Sequence, residues 1–190
     1  SFLKRLKKKV RYQIEHWIGV PIANHLDSFI FNTPMVKDLY TQWGFDNKKS
    51  IVIEDFVDTT AISVFAKSSS DIITHHNNIK PIIFFTTGRM IAEKGFDLVI
   101  KAFSKLKNKE NFKLIMGGNG PEYNSLVKLT KDLGLEKYIS LPGWVEKQEL
   151  EKIFRTAHIF IFPKWWMEYG SAVLTEAMAY GIPAIVPAGG

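Results

Sequence analysis

Four charged side chains in the second half of the sequence could bind a phosphorylated ligand. Arg89 and Lys94 lie five residues apart, and Glu168 and Glu176 are separated by seven residues. An arginine offers a planar fork of N–H donors and a lysine offers a compact charge, a combination suited to a diphosphate. The two glutamates could line the same cleft. The alternative is that all four are ordinary surface charges, so the elements that carry them have to be considered.

Strands and helices alternate regularly from residue 81 onward. Five short apolar strands are predicted at 81–86, 112–116, 138–141, 158–162 and 183–187, and four helices at 95–106, 122–133, 146–157 and 171–180. Continuously apolar strands are typical of a sheet whose two faces are both covered by helices. We therefore predict an α/β fold with a doubly wound, Rossmann-like parallel sheet and right-handed crossovers.

The polar residues of this half follow the strands, and ligands of such sheets bind at the carboxyl ends of the strands. Gly88 and Arg89 follow the first strand, the segment 117–121 (GGNGP) follows the second, and 143–145 follow the third. The segment 117–121 is neither a dinucleotide fingerprint nor a P-loop, and a plain strand-to-helix turn would use its glycines as well. With the loop 164–171 after the fourth strand, four loops are expected to surround one ligand.

The fourth loop leads into a helix whose predicted start is Gly170-Ser171, with Ser171 as the N-cap. This start places Glu168 in the loop and Glu176 about one turn into the helix. The N–H groups of residues 171–173 would lie between the two carboxylates and, with the helix dipole, form an anion site. The alternative is an exposed loop glutamate and a first-turn glutamate that the same dipole favours.

The first 80 residues follow a different pattern. Their predicted elements are an amphipathic helix at 2–18, a strand at 27–32, a helix that begins with Thr33 as its N-cap and Pro34 in its first turn and runs to 43, and a strand at 50–53. A polar stretch rich in Ser, His and Asn then precedes the first apolar strand. We predict three parts: the end of an incomplete first domain at 1–64, a linker at 65–80 and a second domain at 81–190.

The composition excludes several kinds of protein and site. The 190 residues include no cysteine, which excludes a disulfide framework, a zinc–thiolate site and a cysteine nucleophile. The longest purely apolar runs have about four residues, far fewer than a membrane span needs. The basic start of the chain lacks the apolar stretch of a secretory signal.

The formal net charge of +6 is concentrated at one end of the chain. Six cations and no acidic residue fall within eight positions, namely Lys4, Arg5, Lys7, Lys8, Lys9 and Arg11. Without these six, 19 basic residues balance 19 acidic residues. Because the excess of positive charge is confined to this segment, its cause is sought there. The rest of the chain is neutral, and we expect no nucleic acid as a partner.

The segment 168–183 (EYGSAVLTEAMAYGIP) resembles the signature of the group 1 glycosyltransferases, a retaining family with the GT-B fold. Their pattern is Glu, often Phe-Gly, a second Glu eight positions on, and then Ala-Met-Ala, Gly and Pro. Tyr169 replaces the common Phe, and Asp55-Phe56 stands where the family usually has Asn-Gly. The resemblance covers roughly residues 25–190, interpreted as the end of an acceptor-side domain and most of a nucleotide-sugar-binding domain.

The resemblance implies a role for each candidate residue. Arg89 and Lys94 would neutralise the diphosphate as it leaves, which is an electrostatic role in catalysis. Glu168 would hold hydroxyl groups of the donor sugar, and Glu176 would form a hydrogen bond with the nucleotide ribose. The other donor-binding positions it implies are Gly88, Gly118, Val145, Gly170, Ser171, Ala172 and Val173. Of these, Gly118 and Val145 would frame the base, and 171–173 would contact phosphate and sugar.

The expected function is transfer of a sugar from a nucleotide-diphosphate donor to a lipid-linked or polysaccharide acceptor, in the synthesis of cell-surface polysaccharide or glycolipid. This family retains anomeric configuration, and the resemblance implies no metal and no other cofactor. Two other functions stay open. One is a sugar-nucleotide epimerase of the same fold, and the other is a non-catalytic nucleotide-binding module.

The basic first helix suggests a further partner. Cations beside an apolar stripe can dock on anionic lipid, which suits an enzyme with a lipid-linked acceptor. We therefore expect a cytoplasmic protein with a peripheral position at the inner face of the membrane. The alternative is that the apolar stripe packs on the rest of the first domain while the lysines face water.

Overall fold

The computed structural model describes residues 10–54, 56–60, 62, 81–163 and 171–188. The chain divides into two compact units, Ser1–Asp55 and Phe56–Gly190. The sequence prediction placed the end of the first domain later, at residue 64, and its linker at 65–80 falls outside the described residues. The assignment of 1–64 to an acceptor-side domain stays a prediction.

The first unit begins, in its described part, with a helix that extends beyond the predicted end near residue 18. Residues 10–14 are α-helical, Glu15–Gly19 form a π-helical stretch, and Val20–Ala23 (α1) return to α-helix. Pro21 lies at the start of α1, where its missing N–H costs least, so the helix can continue past Gly19. Residues 2–9 of the predicted helix lie outside the described residues.

A small parallel sheet completes the first unit. Strand β1 (Phe29–Phe31) pairs with β2 (Ser50–Val52), and helix α2 (Pro34–Gln42) connects them. The predicted cap is present, because Thr33 Oγ1 accepts a hydrogen bond from Val36 N–H at 3.2 Å. The rings of Phe29, Phe31, Tyr40 and Phe45 lie within 6.4 Å of a neighbouring ring centroid, so aromatic packing holds this unit together.

The second unit is the predicted parallel sheet. Its strands are β3 (Ile82–Thr87), β4 (Phe112–Gly117), β5 (Ile139–Gly143), β6 (Ile159–Ile161) and β7 (Ala184–Ile185), in the order β5-β4-β3-β6-β7. The helices between them are α3 (Phe96–Ser104), α4 (Tyr123–Asp132), α5 (Lys147–Thr156) and α6 (Ala172–Ala179). All strand pairs are parallel, so the predicted doubly wound architecture is confirmed.

Successive residues of β3 belong to the cores on the two faces of the sheet. Phe84 packs against a cluster formed with α3 and α4, whereas Phe85 is fully buried in a cluster formed with α5 and α6. This alternation is the period of two that a strand imposes on its side chains. The ring of Phe85 lies 5.3 Å from Phe154 of α5 and 5.8 Å from Phe160 of β6. Burial on both faces explains why β3 carries apolar side chains at successive positions.

The strand order reverses direction at β3. The chain proceeds outward from β3 to β4 and β5, and then returns to place β6 on the other side of β3. The helices change face at the same point, so the connections after β3 and after β6 diverge and leave a crevice at the carboxyl ends of these strands. In the part of the chain that the structure describes, no helix has the length and apolarity to cross a membrane.

Candidate functional site

The loops after β3 and β4 are joined by backbone hydrogen bonds at the carboxyl edge of the sheet. Gly88 N–H donates to Gly117 O at 3.2 Å, and Met90 N–H donates to Asn119 O at 2.9 Å. The loop after β5 is attached to the same group, because Gly118 N–H donates to Gly143 O at 2.7 Å. Three of the four predicted loops therefore form one backbone network.

Gly118 and Gly120 are required because the backbone of the loop after β3 passes too close to them for any side chain. Gly118 has a φ of 123°, and a Cβ added there would overlap the carbonyl oxygen of Gly88. Gly120 has a φ of 155°, and a Cβ there would overlap the carbonyl oxygen of Met90. Only glycine satisfies both the positive φ and the contact. The segment 117–121 thus fixes the shape of the loop after β3.

Arg89 and Lys94 lie in the turn that this network holds. Arg89 is exposed and follows Gly88 directly, while Lys94 ends a short 3₁₀ turn and is half-buried. The Lys94 ammonium lies 5.9 Å from the ring centroid of Phe162, the residue that follows β6. Lys94 is therefore directed toward the point where the strand order reverses, and it is held there by an aromatic ring of the neighbouring strand.

Val145 closes the site at the end of β5. It is half-buried, and its Cγ2 atom lies 3.0 Å from the position that a Cβ on Gly117 would occupy. Thr87 Oγ1 lies at the same distance from that position, so Gly117 is enclosed between Val145 and the end of β3. The structure thus brings the predicted residues Gly88, Gly118 and Val145 together.

Ser171 caps helix α6 as predicted. Its Oγ accepts a hydrogen bond from Leu174 N–H at 3.4 Å, and its backbone is extended, as an N-cap requires. The N–H groups of Ala172 and Val173 precede the first intrahelical hydrogen bond and so face the carboxyl edge of the sheet. Glu168 and Gly170 lie outside the described residues.

Glu176 lines a cavity of about 350 Å³ next to this helix start. The cavity lies among α5, α6 and residues 56–58 and 62, and its charged lining residues are Asp58, Lys147, Glu151, Arg155 and Glu176. Burial raises the pKa of the half-buried Glu176 carboxyl above its ordinary value, and the charge of Lys147 acts in the opposite direction. Sequence reasoning missed Lys147, although its position at the start of a helix on this edge of the sheet was a usable signal.

Asp58 is a further carboxylate of this cavity, in addition to Glu151. One of its oxygens accepts a hydrogen bond from Thr60 N–H at 2.9 Å. This bond lowers the pKa of Asp58, with a smaller contribution from Lys147. Within the described ranges, no group of three or more His, Asp or Glu side chains is arranged to hold a metal ion.

A family model described as glycosyl transferases group 1 matches residues 69–190. The chain belongs to this family. It is 28% identical over 175 residues to mannosylfructose-phosphate synthase of Agrobacterium fabrum, and 31% identical over 162 residues to an uncharacterized glycosyltransferase of Methanocaldococcus jannaschii. These alignments cover 87% and 83% of the chain, and the chain spans 38% of the length of either relative.

The fold is shared with solved structures. The chain superimposes on Anabaena HepE, crystallised in complex with UDP, with a TM-score of 0.71 and 20% sequence identity. This match covers 90% of the chain and 48% of HepE. The predicted fold, a parallel α/β sheet of the GT-B type, is thereby confirmed.

The contact between Gly118 and Gly88 leads to a prediction about stability. Gly118→Ala should lower the free energy of unfolding by about 3 kcal/mol or more, because the methyl group overlaps a carbonyl oxygen at an unfavourable φ. The matched control is Gly134→Ala, at a φ of 65° with no atom within 4 Å of the added methyl group. This control should cost only about 1–2 kcal/mol. Urea unfolding followed by circular dichroism measures both, and equal losses would contradict the prediction.

Proposed function

We propose that this protein supplies the donor-binding half of a retaining glycosyltransferase. The donor is a nucleotide-diphosphate sugar, and the acceptor is lipid-linked or a polysaccharide. The product belongs to cell-surface polysaccharide or glycolipid, and the enzyme works at the cytoplasmic face of the membrane. The relatives that are glycosyltransferases and the neighbour crystallised with UDP support the donor class.

The observation that carries the proposal is that positively charged groups and the carboxylate of Glu176 occur on neighbouring elements at one edge of the sheet. Arg89 and Lys94 lie in the turn after β3, and the N-terminus of α6 faces the same edge. These groups suit the diphosphate of a donor. The cavity at Glu176 offers carboxylate acceptors and apolar walls, which suit a ribose and a base.

The proposed chemistry requires stabilisation of a leaving nucleoside diphosphate. As the bond between sugar and phosphate breaks, negative charge grows on the phosphate oxygens, and Arg89 and Lys94 would stabilise it. Side-chain cations of this kind can perform a task that other enzymes give to a metal ion. Glu168 would position the donor sugar through its hydroxyl groups, and Glu176 would bind the ribose.

Two competing functions make different demands on the same site. A sugar-nucleotide epimerase would convert the donor without any acceptor. A dehydrogenase-like nucleotide module would bind nicotinamide dinucleotide, but the loops after β3 and β4 lack the G-x-G-x-x-G fingerprint that such domains use. Binding and product analysis separate the three.

Nucleotide binding is the first test. UDP, GDP, ADP and NAD are titrated against the protein by calorimetry, and one nucleoside diphosphate should bind with at least micromolar affinity while NAD does not. Arg89→Ala should weaken that binding about tenfold or more, because a charge-assisted contact with phosphate is lost. The control Lys128→Ala removes a cation that pairs with Asp132 on the surface of α4, and it should leave affinity unchanged. Failure of all three diphosphates to bind would refute the donor assignment.

Sugar transfer is the second test. In the full-length protein, Glu168→Ala should abolish transfer, because the donor sugar loses its hydroxyl contacts. Glu149→Ala, which removes a surface carboxylate paired with Lys152, should leave turnover near the wild-type rate. Proton NMR of the product should show the anomeric configuration of the donor. Wild-type turnover in the Glu168 variant would overturn the site assignment, and conversion without acceptor would favour the epimerase.

The first helix supports attachment to an anionic membrane surface. In its described part, five apolar side chains recur at helical spacing and are half exposed or more, namely Val10, Ile14, Trp17, Ile18 and Ile22. Arg11 pairs with Glu15 at 2.6 Å, so the remaining cations of the basic cluster, Lys4 to Lys9, would carry the attraction to lipid. Each basic residue near an anionic surface contributes about 1 kcal/mol.

Vesicle binding tests this attachment. The protein should sediment with vesicles of phosphatidylglycerol and phosphatidylcholine in equal parts, not with phosphatidylcholine alone, and added salt should release it. Trp17→Gln should reduce binding about fivefold or more, because an exposed indole partitions to the interface. Met35→Gln, on another exposed helical position of the same unit, is the control and should bind normally. Equal loss in both variants would contradict a specific docking face.

A further inference from the structure

The cavity at Glu176 has two cations on its lining, and they have different partners. Both belong to α5, with Lys147 at its first residue and Arg155 two turns further on. Arg155 lies 3.9 Å from Glu151, and Tyr180 lines the same end of the cavity. Arg155 is therefore engaged at the end of the cavity remote from the carboxyl edge of the sheet.

Lys147 acts on the two carboxylates that remain. It lies at the start of α5, and helices that follow parallel strands start at the carboxyl edge, where the candidate donor site is. Asp58 reaches the cavity from residues 56–58, and Glu176 reaches it from α6. The charge of Lys147 favours the ionised form of both, while burial disfavours that form of Glu176.

The state of Glu176 matters because of what it would bind. An ionised carboxylate accepts hydrogen bonds from two ribose hydroxyl groups, whereas a protonated one loses part of that capacity. Burial works against ionisation of Glu176, and the charge of Lys147, on the lining of the same cavity, works in its favour.

We propose that Lys147 is a positioning residue of the donor site, which holds the Glu176 carboxylate ionised and directed toward the nucleoside end of a bound donor. The proposal rests on the proposed function, because it requires a nucleotide in this site. Lys147 acts here through Glu176, whereas Arg89 and Lys94 act on the diphosphate. Among the residues that the structure describes, Glu151, Arg155 and Tyr180 are the remaining titratable groups on the cavity lining, and Glu151 lies 3.9 Å from Arg155.

The test compares a nucleoside diphosphate with its nucleoside. The probe is whichever of UDP, GDP and ADP binds the protein most tightly, and the matching nucleoside is measured by competition. Lys147→Gln should weaken both ligands by the same factor, roughly threefold at pH 5 and less at pH 8. The loss should grow toward low pH because removal of Lys147 raises the pKa of Glu176 further, so more of the carboxyl is protonated in acid.

Three further variants identify the route of the effect. Lys147→Arg keeps the charge and should restore affinity at both pH values. Lys152→Gln removes a cation from the same helix that pairs with Glu149 outside the cavity, and it should have no effect. In a Glu176→Gln background, Lys147→Gln should cause no additional loss, because a double-mutant cycle isolates the coupling of the two residues.

Each other outcome counts against the inference. A loss confined to the diphosphate would make Lys147 a direct phosphate ligand, and a loss that persists in the Glu176→Gln background would remove the coupling. Unchanged affinity in Lys147→Gln would overturn the inference and leave the proposed function intact. If the wild-type protein binds none of the three diphosphates, both the proposed function and the inference about Lys147 fail.

Discussion

The contact of the Gly118 backbone with the carbonyl group of Gly88 determines the geometry of the carboxyl edge. It brings the ends of β3 and β4 closer than any side chain would permit, and the hydrogen bond from Gly118 to Gly143 adds the end of β5. Because three loops share one backbone network, the turn that carries Arg89 and Lys94 has little freedom to move. A rigid turn can present cations to a diphosphate without first losing conformational entropy.

The position of the site follows from the position of β3 in the sheet. Phe84 and Phe85 belong to opposite cores, so β3 packs against both helical layers. The same strand is where the order reverses, and its neighbour β6 places Phe162 against the ammonium group of Lys94. The central strand of the sheet thus leads into the turn that carries Arg89 and Lys94. The same strand, β3, therefore contributes to the hydrophobic core and positions the turn that carries Arg89 and Lys94.

Local patterns in the sequence were sufficient for the elements and for the caps. The apolar strands, the cap at Thr33 and the cap at Ser171 depend on neighbours within four residues, and all three predictions are confirmed. The grouping of Asp58, Lys147 and Glu176 could not be predicted in this way, because it depends on how α5 and α6 pack with residues 56–58 and 62. The close fit of Gly118 on Gly88 is equally long-range. The two glycines are separated by 29 residues of sequence, and their backbones meet only because β3 pairs with β4.

The charges of the second unit fall into two groups with opposite requirements. Arg89, Lys94 and the start of α6 concentrate positive potential where phosphate would bind, and there an additional carboxylate would reduce affinity. In the proposed donor site Glu176 would bind the ribose as an ionised carboxylate, whereas its burial favours the neutral form. Lys147, at the start of α5 and on the lining of the same cavity, favours the ionised form and would resolve this conflict without occupying the phosphate site. One edge of the sheet can then bind the anionic and the hydroxylated parts of a single ligand.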